Sequence, residues 1–273
     1  MRVPGTVRSA AMRELPPGWA TDVAVLRHSG SLVEDRGDHL VVRTPQNPDY
    51  HWGNCILVLD ERAVGDADRW IEVFKAAHPE AGWVSVGLIR EPDDASAWTA
   101  QDVVIEGEDV LTSLQQPRAM PPADGYTVRR IAGDDWEQVV AAEVADNELT
   151  GAYEPGLHER FARAQTDLRR RLSERDVAAF FGAFAADGVL ASNLGIVVCG
   201  ATARYQAVGT DAGHRRRGLA GHLLGVAADW SAAKGCNRWV IITEAGNPAG
   251  RLYRSVGFAP DVSNARAYRP PAR

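Results

Sequence analysis

Cysteine is scarce: three residues in 273, at positions 55, 199 and 236, an odd number whose spacing fits neither a disulfide framework nor a metal site. They read as reduced thiols of a cytoplasmic protein, each a small buried apolar residue rather than a nucleophile. No metal is implied. Long hydrophobic runs are also missing. The most apolar stretch, "GVLASNLGIVVCGATA" at 188–203, is broken by Ser192 and Asn193, which predicts strands and a turn rather than a membrane span. The amino-terminal twenty residues carry positive charge without an apolar core of signal-peptide length, which argues against secretion. An excess of positive charge is lacking too. Thirty Lys and Arg against 36 Asp and Glu leave a net charge of −6, so neither nucleic acid nor membrane is expected as a partner and any basic site must be local. Two common phosphate signatures are absent: no Gly-Lys-Ser/Thr closes a P-loop, and no Gly-x-Gly-x-x-Gly follows a strand.

What is present fits an ordinary globular chain, 45% hydrophobic and 24% charged, long enough for two domains. The proline-rich "QQPRAMPPADG" at 115–125 reads as an exposed linker. It separates an amino-terminal domain, 13–116, from a carboxy-terminal one, 126–273, with 117–125 between them. In the first, "NCILVLDE" predicts a strand and "GWVSVGLI" another. Between them "ADRWIEVFKAAHP" predicts a helix with Trp70, Ile71, Phe74 and Ala77 on one face. In the second, "YTVRRI" predicts a strand, and "DDWEQVVAAEVADNEL" and "HERFARAQTDLRRRLSE" helices. Antiparallel strands follow, with turns at Asp187–Gly188 and near Gly200. A helix then runs from Leu219 to Lys234 and stops at Gly235. After the strand "RWVIIT", a short helix has Asn247 as its N-cap, Pro248 in its first turn and Gly257 as its end.

The local basic site is "GHRRRGLAG" at 213–221, between the strand "YQAVGT" and a helix start. In isolation three arginines would read as a solvated basic helix start. Amide groups in a first helical turn have no internal acceptor, and the helix dipole adds positive charge there, so the junction favours an anion. Gly218 allows a diphosphate to approach the main chain, Ala220 keeps the next position small, and the arginines add charge-assisted hydrogen bonds. No aromatic residues are interleaved as a nucleic-acid site would need.

Arg215-Arg216-Arg217-Gly218-Leu219-Ala220 resembles the Gln/Arg-x-x-Gly-x-Gly/Ala signature of the GNAT superfamily of acetyl-CoA-dependent N-acetyltransferases. "YQAVGTDAGHRRRGLAGHLLGVAADW" followed by "VIITEAGNPAGRLYRSVGF" resembles the superfamily's two best-marked regions. The match covers residues 200–260, and the order of elements extends it back to about 125. The resemblance implies a mixed α/β sheet of the GNAT fold, with a second, degenerate GNAT-like domain at the amino terminus. It further implies that Val208 and Thr210 present backbone groups to the pantetheine arm of acetyl-CoA. Main-chain amides of Arg216 to Ala220 would hold the diphosphate, with Arg215 beside them, and Asn247 would contact the cofactor. Tyr253 stands where the family places a tyrosine beside the cofactor sulfur, able to protonate the departing thiolate; packing between helix and sheet is its other reading.

A general base is harder to place. Many family members carry an acid on the strand before the pyrophosphate loop, but "ARYQAVGT" has none. Glu148 and Asp146, ending the first helix of the second domain, and Glu244, ending the next strand, are candidates. Each also reads as a solvated surface carboxylate, and His214 as a loop residue. The first half has no such phosphate signature: "ERAVGDADRW" puts Glu61, Asp66 and Asp68 where a diphosphate would sit. Its expected role is to cover a sheet edge or shape the acceptor pocket. "NPDYHWGN" at 47–54 either lines a substrate site or packs as a loop. The expected reaction is direct acetyl transfer to a small-molecule or peptide amine. The rival from another class is a catalytically silent acyl-CoA sensor. Oligomeric state is left open by the sequence.

Overall fold

The computed structural model describes residues 15–121, 123–151 and 153–271. The first half runs α1 (Pro17–His28), β1 (Leu32–Asp35), β2 (His39–Arg43), β3 (Cys55–Val58), α2 (Ala67–Ala77), β4 (Val84–Leu88), α3 (Ser96–Thr99) and β5 (Val104–Ser113). The second runs β6 (Tyr126–Arg130), α4 (Asp135–Thr150), α5 (Pro155–Glu174), β7 (Ala178–Ala185), β8 (Leu190–Cys199), β9 (Thr202–Thr210) and α6 (Leu219–Ala233). It closes with β10 (Arg238–Glu244), α7 (Ala249–Ser255), β11 (Ala259–Pro260) and β12 (Asn264–Arg269). The expected strands and helices from β3 to α7 form. Asn247 caps α7, its Oδ1 accepting from the Ala249 amide at 2.9 Å, but Pro248 stands just before the helix rather than inside its first turn.

The twelve strands form one sheet, in the order β1-β2-β3-β4-β12-β5-β10-β9-β8-β7-β6, with β11 on the side of β5. The two halves exchange their closing strands. β12, from the end of the chain, pairs antiparallel with β4, while β5 runs between β12 and β10. A cut within 117–125 would therefore leave each half holding the other's closing strand. Nor does this segment run free. The Arg118 and Met120 amides donate to Val256 and Gly221, and Ala119 lies so close to α6 that a Cβ on Gly225 would meet its Cα at 2.2 Å. Gly221 and Gly225, one turn apart, form the groove that receives it.

Strand alternation sorts the sheet into two faces. One face carries α2 over Ile56, Val58, Val86 and Leu88, and α6 over Leu194, Ile196, Ala203 and Trp239. Trp70, Ile71 and Phe74 of α2 are buried there as their helical spacing predicts. Leu219, Leu223, Leu224, Ala227 and Ala228 do the same for α6. The other face carries α4 and α5, whose Trp136, Val139 and Leu172 cover Phe180.

It also carries α1, a helix that the sequence reading did not anticipate. α1 lies on both halves: Trp19 and Val23 pack on Leu40 and Leu57, and Val25 joins the cluster around Phe180. Its Asp22 accepts from Arg204 of β9 at 2.9 Å and faces Arg266 of β12 at 3.5 Å, and Arg266 in turn pairs with Glu108 of β5 at 2.7 Å. Among the described residues no helix is long and apolar enough to cross a membrane.

Removing one member of a buried ion cluster leaves the others uncompensated. Asp22→Ala should thus destabilise the fold by about 3–5 kcal/mol in urea unfolding. A loss below about 1 kcal/mol would show that solvent already screens these guanidinium groups.

Candidate active site

β9 pairs in parallel with β10 only from Thr202 to Arg204, against Arg238 to Val240. Beyond that point β10 continues along β5 while β9 follows β8. An irregularity between Asn193 and Gly195 of β8 and a φ of +48° at Ala207 bend β9 away, as a bulge does. The edge of β9 after Arg204 is left without a strand partner on its β10 side, and a cleft of about 460 Å³ opens there. Val208 lines it from β9, Glu244 from β10, and Asn247 and Tyr253 from the α7 segment, with Asp22 and Cys55 among its deeper residues. Thr210 stands at the outer end of β9. Its hydroxyl is held by Ser192 at 2.8 Å and its carbonyl accepts from Arg215 Nε at 3.1 Å.

The segment between β9 and α6 is shaped by its own side chains. Besides the bond from Arg215, Arg217 reaches back to the Gly213 carbonyl at 3.5 Å, and Asp211 caps the short 3-10 turn through the Gly213 amide. Arg216 and Gly218 have φ of +61° and +79°, and a non-glycine residue at 218 would be strained there. Gly218 opens α6 with no side-chain cap. Among the described residues no acceptor serves the backbone amides from Arg216 to Gly221. Leu219 is buried, so it offers the site only its amide, while Arg215, Arg216 and Arg217 are exposed. The matching helix of the first half, α2, is closed: the Asp66 side chain accepts from the Arg69 amide and Asp68 lies in the first turn.

Residues 139–258 match the family model described as the Acetyltransferase (GNAT) family. The second half of the chain is a GNAT domain. Known GNAT structures extend the likeness of fold over nearly the whole chain. A GCN5-related N-acetyltransferase from Kribbella flavida aligns with a TM-score of 0.64 at 18% identity, covering 93% of this chain and 96% of that one. A tandem GNAT protein from the clavulanic acid biosynthesis pathway gives 0.55 at 17%, covering 96% and 90%. A functionally unknown conserved protein from Staphylococcus epidermidis ATCC 12228 gives 0.65 at 11%, covering 89% and 94%. No curated protein matches. The first half shares this likeness of fold, and the match to the GNAT family lies in the second half.

Within the GNAT domain Tyr253 is buried, packs edge-on to Phe258, and has no hydrogen-bond partner for its hydroxyl among the described residues. Burial raises its pKa, with the Arg204 guanidinium pulling the other way, so it holds its proton at neutral pH. His214 is engaged with the Tyr126 hydroxyl at 2.8 Å. Glu148 is not beside Tyr253. It lines a second cavity of about 990 Å³, between the α4–α5 turn, the loop around Tyr50 and the chain end after β12. Asp146 lines neither cavity. Tyr50 and Trp52 belong to both walls, so "NPDYHWGN" lines the site and packs at once: His51 stacks on Trp83 at 4.2 Å and bonds the Tyr268 hydroxyl at 2.7 Å. Among the described residues no group of three or more His, Cys, Asp or Glu is placed to hold a metal ion.

Burial lowers the pKa of His51 to about 4. An unfolded chain would protonate it near pH 6.5, so its contribution to stability is complete above that value and is lost as the pH falls toward 4. An NMR titration should find the His51 ring neutral at pH 5; a ring protonated there would mean that water reaches it freely.

Proposed function

We propose that this chain transfers the acetyl group of acetyl-CoA directly to a primary amine within a ternary complex. The observation that carries the reading is the run of acceptor-less amides from Arg216 to Gly221 beside the unpaired edge of β9. These are the groups a diphosphate and an extended amide chain need. Acetyl-CoA bound there supplies a thioester activated toward attack by nitrogen.

In this reading the Arg216 to Ala220 amides hold the diphosphate, with charge added by the side chains of Arg215, Arg216 and Arg217. Backbone groups of Val208 and Thr210 pair with the pantetheine arm. Asn247 contacts the same arm through its side-chain amide, since its Oδ1 already serves Ala249. An alkylammonium must first lose a proton, because at neutral pH it is almost wholly charged. Glu148 on the acceptor side and Glu244 in the cleft are the carboxylates available to receive it. The nitrogen–carbon bond then forms, the carbon–sulfur bond breaks, and Tyr253 gives its phenolic proton to sulfur, regaining one from the nitrogen. Direct transfer needs no acyl-enzyme, and burial, which pushes the thiol of Cys55 in the cleft up to about 12, disfavours a thiolate nucleophile there. The acceptor is a small-molecule or peptide amine. β9 carries no carboxylate, which keeps a silent acyl-CoA sensor as the reading to test against.

Calorimetric titration with acetyl-CoA should give saturable binding, and thiol release should depend on added amine. Binding with no release on any amine would identify a sensor. In an Arg217→Ala/Gly218→Val variant the affinity should fall about tenfold, the worth of one charge-assisted hydrogen bond; unchanged affinity would remove these residues from the diphosphate site. Tyr253→Phe should lower turnover by about a hundredfold with little change in affinity, whereas full turnover would make Tyr253 a packing residue.

A further inference from the structure

The 990 Å³ cavity is rich in aromatic side chains. Tyr50, Trp52, Tyr153, His158, Phe161 and Tyr268 line it. They are already arranged in pairs, with Tyr153 stacked on His158 at 5.6 Å, Tyr50 tilted against Phe161 at 5.6 Å and Trp52 tilted against Tyr268 at 5.7 Å. Asn147 pins the turn that carries Tyr153 with two hydrogen bonds, at 2.9 and 3.1 Å. The flat surfaces are therefore set before any ligand arrives.

The charges around the cavity are of one kind. Asp49, Glu148 and Glu154 line it, and among the described residues no lysine or arginine does. His51 is held neutral by burial and does not offset them. Asp49 is paired with Arg160 at 3.3 Å, and Glu154 caps α5 through the Gly156 and Leu157 amides, which leaves Glu148 free at the wall.

Toward the acyl-donor cleft the exchanged strands add two more acids. β12 sets Tyr268 opposite Val104 and Arg266 opposite Glu106 of β5, and β10 sets Glu244 opposite Glu108. By alternation Tyr268, Arg266, Glu106, Glu108 and Glu244 share one face. Glu108 is paired with Arg266, but among the described residues neither Glu106 nor Glu244 has an ion-pair partner. Partial burial and the neighbouring Glu244 charge raise the Glu106 pKa, while Arg266 opposes the shift. Glu106 acts electrostatically on Tyr153 and Tyr268 of the cavity wall, and Glu244 lines the cleft. Glu106 lines neither cavity itself, but it stands on the same face of the sheet as Glu244 at the cleft and Tyr268 at the cavity wall.

We propose that this cavity takes as acceptor a primary amine carried on an aromatic body, with the ring between the aromatic walls and the ammonium turned toward Glu106 and Glu244. The assignment rests on the transferase reading above. An ammonium held there is attracted by carboxylates that form no ion pair among the described residues, though Arg266 offsets part of the Glu106 charge, and its proton passes to one of them before the nitrogen attacks.

The probes are 3-phenylpropylamine, its anionic counterpart 3-phenylpropionate, and ethanolamine, titrated into the full chain saturated with CoA. 3-Phenylpropylamine should bind and, with acetyl-CoA, release thiol. 3-Phenylpropionate should not bind, and ethanolamine should bind about tenfold more weakly or worse. Glu106→Gln should weaken 3-phenylpropylamine about tenfold and leave acetyl-CoA affinity unchanged, and Phe161→Leu should narrow the preference over ethanolamine. Equal affinity for ethanolamine, binding of 3-phenylpropionate, or no effect of Glu106→Gln would overturn the assignment while acetyl-CoA still bound. Loss of acetyl-CoA binding by the unaltered protein would overturn the transferase reading itself.

Discussion

Asp22 lies between two guanidinium groups that come from strands 62 residues apart in the chain, Arg204 of β9 and Arg266 of β12. Arg204 is the last residue of β9 to pair with β10, so this ion cluster sits at the point where the two strands part. Arg266 belongs to the exchanged strand and ties the cluster to Glu108 of β5. Two positive and two negative side chains removed from water can be accommodated only when they meet in a particular geometry. That geometry fixes α1 against the sheet, and α1 in turn supplies deep residues of the cleft. A hydrophobic contact would tolerate sliding; a desolvated charge cluster does not.

The two GNAT-like units each set a helix after a central strand, α2 after β3 and α6 after β9, yet the helix starts differ in chemistry. α6 begins at a glycine with positive φ, leaving its amides unserved, and α2 begins with an aspartate that serves its own helix. An anion is welcome at the first and repelled at the second. With its phosphate site closed, the first unit contributes walls instead: Tyr50 and Trp52 from the loop before β3, and α1 across the cleft. One unit thus supplies the open helix start beside the cleft, and the other supplies part of the wall of the larger cavity.

How much of this was legible in the sequence follows the range of the interactions. The helix at Trp70, the strands on either side of it and the 219–234 helix are encoded by local periodicity. The Arg215 to Ala220 loop and Tyr253 lie in short contiguous motifs, so their places could be read directly. α1 escaped because its turns begin at paired prolines and its face is buried against both halves, without a simple amphipathic stripe. β5 and β12 escaped for a different reason: their partners are set by an exchange between distant segments, which no local pattern records. Glu106 and Arg266 therefore carry no local signature, whereas the base candidates Glu148, Asp146 and Glu244 could be named from their places at the ends of expected elements. The acceptor cavity joins residues near 50, 150 and 270, and no linear motif spans them.

The exchange also bears on why a single unit would not suffice to build both cavities. β5 forms the far side of β10 and carries Glu106, while β12, from the second unit, carries Tyr268 into the cavity beside residues of the first. Tyr50 and Trp52 stand in the wall between donor cleft and acceptor cavity. If the two units moved apart, β10 would gain an open edge and the cavity would lose walls on both sides. The donor groups of α6 and β9 could persist through such a change, since their hydrogen bonds are local. The larger cavity could not, because its walls join Asp49 to Trp52 of the first unit to the α4–α5 turn of the second. The first unit is therefore needed for the walls of the larger cavity rather than for the amides at the start of α6.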